Sequence, residues 1–181
     1  MRLRRFDRAE PSKTQRRAFA CGEASLDRWL ATQAGQSMES RDAVSYLLLD
    51  EDSIVEDGRP RIAGYFCLSS GEVRREEAPG SMATRAPDPI PAVRMGRFAV
   101  DERYQGQGLG AELLSEALRS AVSAGAVIGA RVMLVDGINE GAFAFYQRFG
   151  FTPSPIHPMQ LLYDLRVVAA SAGAEPMNGD G

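Results

Sequence analysis

The stretch Gln105-Gly106-Gln107-Gly108-Leu109-Gly110 decides the fold of this chain. It follows an apolar segment over 92–100 that is typical of a strand, and it opens the clearest helix of the sequence. Three glycines at alternate positions let backbone N–H groups approach a ligand closely. The first-turn N–H groups and the positive dipole end of the following helix point to the same place. This arrangement predicts a site that holds a diphosphate.

Two other glycine-rich nucleotide sites do not fit the stretch. A Rossmann site needs Gly-x-Gly-x-x-Gly and an acidic residue about 20 residues further on. Here the third glycine comes one residue too early, and residues 122–135 contain no Asp or Glu. A P-loop needs Gly-Lys-Ser/Thr, which does not follow.

Hydrophobic patterning on the N-terminal side of this stretch predicts a helix and then paired strands. We expect a helix over 19–34, a strand over 44–49, an acidic turn over 50–60 and a hairpin partner strand over 62–69. The segment 77–91 carries four prolines and is predicted to be an irregular loop, since proline cannot donate to a strand ladder.

On the C-terminal side, the central helix carries an apolar stripe from Leu113 to Val122 and is expected to stop at Gly125. A buried strand over 132–135, a helix capped by Asn139 and stopped by Gly150, and final strands at Phe151 and over 161–165 should follow. The element order indicates a mixed α/β sandwich. We expect one domain over 1–168 and a disordered tail over 169–181.

Composition excludes several classes of protein. With 181 residues, 44% of them apolar, the chain can bury its own core without disulfide or metal staples. Two cysteines without CxxC spacing and one histidine argue against a disulfide framework, a metal site and a Ser-His-Asp triad. No apolar run is long enough to span a membrane, and the N-terminus lacks the apolar core of a signal peptide. We therefore expect a soluble, cytoplasmic protein.

The charge is unevenly distributed. The net charge is −3, which argues against non-specific nucleic-acid binding by the chain as a whole. Residues 1–17, however, carry seven basic and two acidic side chains, and residues 50–57 carry five acidic ones and no base. Of the 21 basic residues, 20 are arginine, which suits phosphate contacts. A basic patch beside an acidic loop is consistent with this pattern.

Two motifs carry a resemblance to a known family. The first is Gln/Arg-x-x-Gly-x-Gly/Ala, matched by Gln105, Gly108 and Gly110. The second is an Asn-x-x-Ala-x-x-x-Tyr helix that ends in Gly-Phe, matched by Asn139, Ala142, Tyr146, Gly150 and Phe151. In these motifs, over about residues 92–152, the chain resembles the GNAT superfamily of N-acetyltransferases.

The resemblance implies a GNAT fold, with a central, mostly antiparallel twisted sheet flanked by helices, and acetyl-CoA as cofactor. It implies that the main chain of Phe98, Ala99 and Val100 binds the pantetheine arm and the thioester carbonyl. The cofactor set further comprises Gln105, Gly106, Gln107, Gly108, Leu109, Gly110 and Asn139. Tyr146 would lie beside the thioester sulfur and donate its phenolic proton to the leaving thiolate. A core role for Tyr146 is the alternative, because it shares a helix face with Ala142 and Phe149.

A narrower resemblance, over about residues 1–166, is to the TacT-type toxin acetyltransferases. It rests on Phe19-x-Cys21-Gly22-x-x-x-Leu26-Asp27-x-Trp29-Leu30, Asp88-Pro-Ile-Pro91, Gly96-Arg97-Phe-Ala-Val-Asp101 and Phe145-Tyr-x-Arg-Phe-Gly-Phe151. It implies acetylation of the α-amine of aminoacyl-tRNA, arrest of translation, a ribbon-helix-helix antitoxin and a homodimer. Arg97, Arg94 and Arg85 are the candidate tRNA contacts, and a core carboxylate is the alternative partner of Arg97. Gly137 stands where alanine is expected in such proteins.

The acceptor is also indicated by what the sequence lacks. No general base is evident, and His157 lies in a proline-flanked loop. A lysine amine is neutral at pH 7 only about once in 2,500 molecules, whereas an α-amine is neutral roughly once in seven. Of these two acceptors, the α-amine therefore depends less on a general base than the lysine amine does. A GNAT enzyme for a small-molecule or protein amine, and a non-catalytic acetyl-CoA-binding or antitoxin-docking module, remain the alternatives.

Overall fold

The structure, a computed structural model, describes residues 1–7 and 11–172. Its strands are β1 (Arg2–Arg5), β2 (Val44–Ile54), β3 (Pro60–Val73), β4 (Ile90–Val100), β5 (Val132–Asp136), β6 (Thr152–Pro153) and β7 (Gln160–Asp164). Its helices are α1 (Lys13–Arg17), α2 (Ala24–Thr32), α3 (Ala34–Glu39), α4 (Gly80–Ala83), α5 (Leu109–Ile128), α6 (Glu140–Arg148) and α7 (Leu165–Ala172). Helix α7 starts at the last residue of the predicted strand over 161–165, and it includes residues 169–172, so the predicted disorder is wrong there. From residue 173 on, the predicted tail lies outside the described residues.

The strands form a sheet in the order β1-β2-β3-β4-β5-β7-β6. The pairs β1–β2, β2–β3, β5–β7 and β6–β7 are antiparallel. The predicted mixed α/β fold with a mostly antiparallel sheet is therefore confirmed. The chain divides into two compact units, and β3, β4 and α5 each contribute residues to both.

The first unit comprises Met1–Ser69 and Met95–Ala117. In its core, the α2 side chains Leu26, Trp29 and Leu30 are buried among residues of β2, β3 and β4. The Trp29 ring stacks on Tyr65 at 5.9 Å between centroids. On β3, Gly64 lets α5 come close, because a Cβ there would lie 2.9 Å from Leu113 Cδ2 and 3.1 Å from the Ala99 carbonyl oxygen.

The second unit comprises residues 70–94 and the chain from Leu118 on. Val132, Leu134 and Leu162 are buried in its core together with Val73 and Ala92. The first four residues of β5 are all buried, as the continuous apolar run over 132–135 predicts.

The predicted helix over 19–34 is partly wrong. Residues 19–22 are not helical, α2 begins after the Glu23 cap, and Gln33 separates α2 from α3. Gly22 has φ +86°, a left-handed conformation that lies outside the helix. The backbone groups of Ala20 and Cys21 are instead bound by side chains from other parts of the unit.

The predicted end of α5 at Gly125 is also wrong, because the helix continues to Ile128. The left-handed glycine that ends it is Gly129, with φ +77°, and the N–H groups of Gly129 and Ala130 donate to the Gly125 carbonyl at 2.8 and 3.0 Å. Gly125 has a packing role instead, since a Cβ there would lie 2.7 Å from the Ala130 carbonyl oxygen.

Other boundaries shift for local reasons. Strand β2 runs through the predicted acidic turn to Ile54, with a register irregularity between Asp50 and Ile54, so the turn itself is shorter. The predicted irregular loop over 77–91 contains the one-turn helix α4, and β4 already starts at Ile90. Strand β1 was not predicted, because four residues with three arginines carry little strand signal.

Candidate active site

The glycine loop opens α5 as predicted. Gly106 and Gly108 have φ of +73° and +86°, and a Cβ at either position would meet nothing within 4 Å. Their backbone is therefore both left-handed and open to a ligand. The Gly108 carbonyl accepts from Ala111 and Glu112, so the N–H groups of Leu109 and Gly110 belong to the unpaired first turn. This geometry suits an anion such as a diphosphate.

The two glutamine side chains of the loop bind the protein itself. The Gln105 amide donates to the carbonyls of Cys21 and Val100, both at 2.9 Å. The Gln107 amide donates to the Arg103 carbonyl at 2.8 Å. Both side chains therefore fix the loop, and the main chain of these residues is the part that remains for a cofactor.

The end of β4 lies in the same unit and leads directly into this loop. Ala99 is buried in the core, whereas Phe98 and Val100 are half-buried. The Val100 carbonyl is one of the two acceptors of the Gln105 amide. The structure thus brings the predicted pantetheine strand, residues 98–100, and the predicted diphosphate loop together in the first unit.

Arg97 is exposed on the same strand and is held in a defined position. Its guanidinium carbon lies 5.6 Å from the centroid of the Trp29 ring, and Nη1 donates to the Gly96 carbonyl at 2.6 Å. The cation–π contact occupies one face of the guanidinium, and the Nη1 bond to Gly96 leaves the rest of its edge for phosphate. Arg97 is thus exposed and has an aromatic partner.

Tyr146 lies on α6 in the second unit and is 6% exposed. Its ring packs against Phe145 and Phe151, each at 5.4 Å between centroids. Burial raises the pKa of the Tyr146 phenol above its ordinary value. The phenol is therefore a protonated donor at neutral pH.

Asn139 caps α6 as the sequence predicts. Its side-chain oxygen accepts from the Ala142 N–H at 2.8 Å, so the contact that the structure assigns to this side chain is structural. Just before it, a Cβ at Gly137 would lie 3.1 Å from Phe143 Cβ and 3.2 Å from its backbone N. The β5–α6 connection is therefore tightly packed.

The remaining predicted residues occupy the surface of the second unit. Arg94 is paired with Asp136, and Arg85 is exposed. His157 Nε2 lies 3.1 Å from Glu77 Oε1, and this hydrogen bond lowers the pKa of the Glu77 carboxyl. His157 therefore has a structural partner.

One residue to which the sequence analysis assigned no role stands out in the first unit. Asp101, directly after β4, is 1% exposed, and both of its carboxylate oxygens accept backbone N–H groups. The sequence offered one signal for Asp101, since it is an acidic residue between a strand and a glycine loop.

Within residues 1–7 and 11–172, no group of three His, Cys, Asp or Glu residues could hold a metal ion. Over the same residues, every helix is too short or too polar to cross a membrane.

Comparison with known proteins agrees with this geometry. Residues 13–151 match the acetyltransferase (GNAT) family. A tRNA-acetylating toxin of Mycobacterium tuberculosis is 35% identical over 156 residues, which cover 86% of this chain and 89% of that toxin.

Two solved toxins have the same fold. A Tyr→Phe mutant of KacT superposes with a TM-score of 0.82 at 26% identity, covering 94% of this chain and 99% of KacT. AtaT complexed with acetyl-methionyl-tRNAfMet superposes with a TM-score of 0.81 at 25% identity. The match covers 94% of this chain and 99% of AtaT. A Tyr→Phe mutant of AtaT, bound to acetyl-CoA and to the C-terminus of the antitoxin AtaR, superposes with a TM-score of 0.77 at 25% identity. The match covers 94% of this chain and 97% of AtaT. This chain belongs to the GNAT acetyltransferase family.

Proposed function

We propose that this protein is an acetyl-CoA-dependent N-acetyltransferase that acetylates the α-amine of aminoacyl-tRNA and so blocks translation as a toxin. The observation that carries the proposal is the open, left-handed backbone at Gly106 and Gly108, which lies before α5 and shortly after the end of β4. The relatives that act on tRNA are similar over most of their length and of this chain.

The donor site uses main-chain groups. The loop over 105–110 holds the diphosphate of acetyl-CoA with its backbone N–H groups. These groups are available because the glutamine side chains of the loop donate to carbonyls of the protein and do not bind them. Residues 98–100 bind the pantetheine arm, and AtaT is a relative solved with acetyl-CoA. When bound, the cofactor supplies the activated acetyl group.

The reaction is direct attack of a neutral amine on the thioester carbonyl. A C–N bond forms, the C–S bond breaks, the amine loses its proton to solvent, and Tyr146 donates its phenolic proton to the leaving thiolate. Solvent then returns a proton to the phenol. The raised pKa of Tyr146 supports this role, because the donor must remain protonated until the thiolate leaves.

The acceptor contacts are arginines. Arg97, positioned over Trp29, contacts phosphate near the aminoacylated end of the tRNA, and Arg85 and Arg94 contribute more weakly. Since Arg94 is paired with Asp136, its contact with tRNA has to compete with that carboxylate. Asn139 acts on the site through the cap that it forms on α6.

The partners follow from the same role. We propose that an antitoxin of the ribbon-helix-helix class restrains the toxin, since the related toxin AtaT is solved with the antitoxin AtaR bound. We also propose that the toxin is a homodimer. Because aminoacyl-tRNA is used in translation, the protein acts in the cytoplasm.

The test is a pair of variants in one aromatic cluster. Tyr146→Phe removes the phenolic proton that we assign to the thiolate, whereas Tyr163→Phe removes a hydroxyl from a ring 5.0 Å from Phe151 that has no role in the reaction. We expect Tyr146→Phe to lose about 10²-fold or more in acetylation of charged tRNA and to relieve growth arrest. Calorimetry should show unchanged acetyl-CoA binding, and Tyr163→Phe should keep its activity.

Two outcomes would contradict the proposal in different ways. Acetylation of free amines with no reaction on charged tRNA would show that the acceptor is a small molecule or protein. Undiminished transfer by Tyr146→Phe would remove the tyrosine from the chemistry and leave it as a core residue.

A further inference from the structure

Asp101 is a buried carboxylate for which the proposed reaction has no use. It follows the last residue of β4, is 1% exposed, and its own N–H donates to the Ala63 carbonyl at 2.9 Å. A buried charge is costly unless hydrogen bonds compensate it, so its partners indicate what it does.

Each carboxylate oxygen accepts from a different chain segment. Oδ1 accepts from the Arg103 N–H at 3.1 Å and caps the short 3₁₀ turn Glu102–Tyr104. Oδ2 accepts from the Ala20 N–H, also at 3.1 Å, which lies 81 residues earlier in the chain. The charge is thus satisfied by two backbone donors and joins the turn after β4 to the segment before α2.

Further hydrogen bonds join the same two segments. The Glu102 N–H donates to the Ala20 carbonyl at 2.8 Å, and the Gln105 amide donates to the Cys21 carbonyl at 2.9 Å. Gly22 completes the contact, since a Cβ there would lie 2.9 Å from Glu102 Oε1. We call this set, residues 20–22 with 101–105, the brace.

The brace ends where the diphosphate loop begins. Gly106 and Gly108 have open space where a Cβ would lie, and the Gln107 side chain between them ties the loop back to the Arg103 carbonyl of the brace. Glycine has more conformational freedom to lose than any other residue, and ordering it on binding would lower the affinity for the donor. The loop is therefore held at its two ends, by the brace on one side and by α5 on the other.

We infer that Asp101 is a positioning residue for the acyl donor: through the brace, it pre-orders the loop that binds the donor's diphosphate. The inference rests on the proposed function for the identity of the donor. It assigns the non-helical segment 20–22 to the donor site, although this segment lies far from the glycine loop in sequence.

The test compares two donors, acetyl-CoA and S-acetylpantetheine, which carries the same thioester but lacks the diphosphate. Asp101→Asn keeps the size of the side chain but turns one acceptor into an NH₂ group, so one backbone N–H loses its partner. We expect kcat/KM for acetyl-CoA to fall about tenfold, mainly through KM, and kcat/KM for S-acetylpantetheine to stay unchanged. A loss of folded protein would lower both values equally.

A second variant and a matched control test the brace from its other side. Gly22→Ala strains a backbone with φ +86° inside the brace and pushes aside only the Glu102 carboxylate. The backbone strain should therefore reproduce the loss that is specific to acetyl-CoA. Gly58→Ala introduces the same kind of strain at φ +77°, in the turn after β2, where a Cβ meets nothing within 4 Å. Gly58→Ala should leave the ratio of kcat/KM for acetyl-CoA to kcat/KM for S-acetylpantetheine as it is in the wild type.

Hydrogen exchange of the ligand-free protein makes the result independent of activity. Amides over 102–108 should exchange about tenfold faster in Asp101→Asn and Gly22→Ala than in the wild type or Gly58→Ala. Unchanged exchange there, or an equal loss with both donors, would overturn the inference. Failure of the wild type to bind acetyl-CoA would instead overturn the proposed function, while the exchange data would still decide on the brace.

Discussion

At the scale of single residues, Tyr146 has the property that a proton donor to a thiolate requires. Its burial among Phe145 and Phe151 disfavours the phenolate, so the pKa of the phenol is raised and its proton is retained. Solvent exposure would bring that pKa back to its ordinary value of about 10. Under the proposed mechanism, the aromatic packing of α6 therefore serves the proton transfer as well as the core.

This raised pKa leads to a prediction about the pH dependence of the rate. Acetyl transfer should rise between about pH 6 and 8 as the acceptor α-amine, with a pKa of about 7.8, loses its proton. It should then stay level to about pH 10, because Tyr146 is still protonated there. The measurement is the initial rate over the first seconds, since aminoacyl esters hydrolyse in base. A fall with an apparent pKa near that of an ordinary tyrosine would contradict the assignment.

Arg97 leads to a prediction about the acceptor. Arg97→Ala should raise KM for aminoacyl-tRNA about tenfold, leave KM for acetyl-CoA unchanged, and reduce the salt slope of tRNA binding by about one. Arg97→Lys should be intermediate, because it keeps the charge but not the planar stacking on Trp29.

The control for this experiment is Arg61→Ala, which removes an arginine whose Nε donates to Ser53 in the β2–β3 hairpin. Equal effects of the Arg61 and Arg97 variants on KM for tRNA would point to general electrostatics and not to a placed contact.

Sequence reasoning proposed Tyr146 and the loop over 105–110 as site residues because each belongs to a motif with fixed spacing. It found no role for Asp101, since one of its partners is the backbone N–H of Ala20, and backbone donors leave no trace in a sequence. It also could not place the Gln105 amide on the carbonyls of Cys21 and Val100, for the same reason.

At the scale of elements, the β5–α6 connection explains an unusual residue. Gly137 stands where alanine is expected, and the backbone of Phe143 on α6 comes within 3.2 Å of where its Cβ would be. The Asn139 cap fixes the start of this helix, so α6 cannot move away at no cost.

Gly137→Ala should therefore destabilise the protein. The Cβ would lie closer than ordinary contact to the Phe143 backbone and Cβ, so α6 would have to shift by a few tenths of an ångström. This predicts a loss of about 1–3 kcal/mol in the free energy of unfolding. Denaturant unfolding measures it. Gly80→Ala on α4, where a Cβ meets nothing within 4 Å, is the control and should be neutral or slightly stabilising. An unchanged midpoint for Gly137→Ala would show that α6 can shift.

The elements themselves were predicted best where one local signal decides them. The Asn139 cap and the apolar run of β5 are such signals, and both are confirmed. The end of α5 was misplaced because two glycines lie within five residues, and only tertiary packing shows that Gly129 adopts the left-handed conformation while Gly125 stays helical.

At the scale of the whole molecule, the uneven charge is partly neutralised within the first unit. Arg2 Nη1 lies 3.1 Å from Glu51 Oε1, and the Ser12 hydroxyl donates to Asp57 in the acidic turn. The basic N-terminus and the acidic hairpin predicted from the sequence therefore do contact each other. An isolated exposed ion pair of this kind contributes little to stability.

Donor binding should be visible in the stability of the whole molecule. Acetyl-CoA at about 100 times its Kd should stabilise the native state by about 2.7 kcal/mol, which raises Tm by about 5–10 °C for a chain of this size. Thermal unfolding followed by fluorescence measures the shift. S-acetylpantetheine at the same concentration should give a much smaller shift, and equal shifts would show that the diphosphate is not recognised.

Strand β1 has a consequence for solubility. It pairs only with β2 and ends the sheet, so its outer backbone groups offer a template to which another chain could add. Arg2, Arg4 and Arg5 are exposed along this strand and repel a second copy of themselves. The arginines thus disfavour edge-to-edge pairing of two copies along β1.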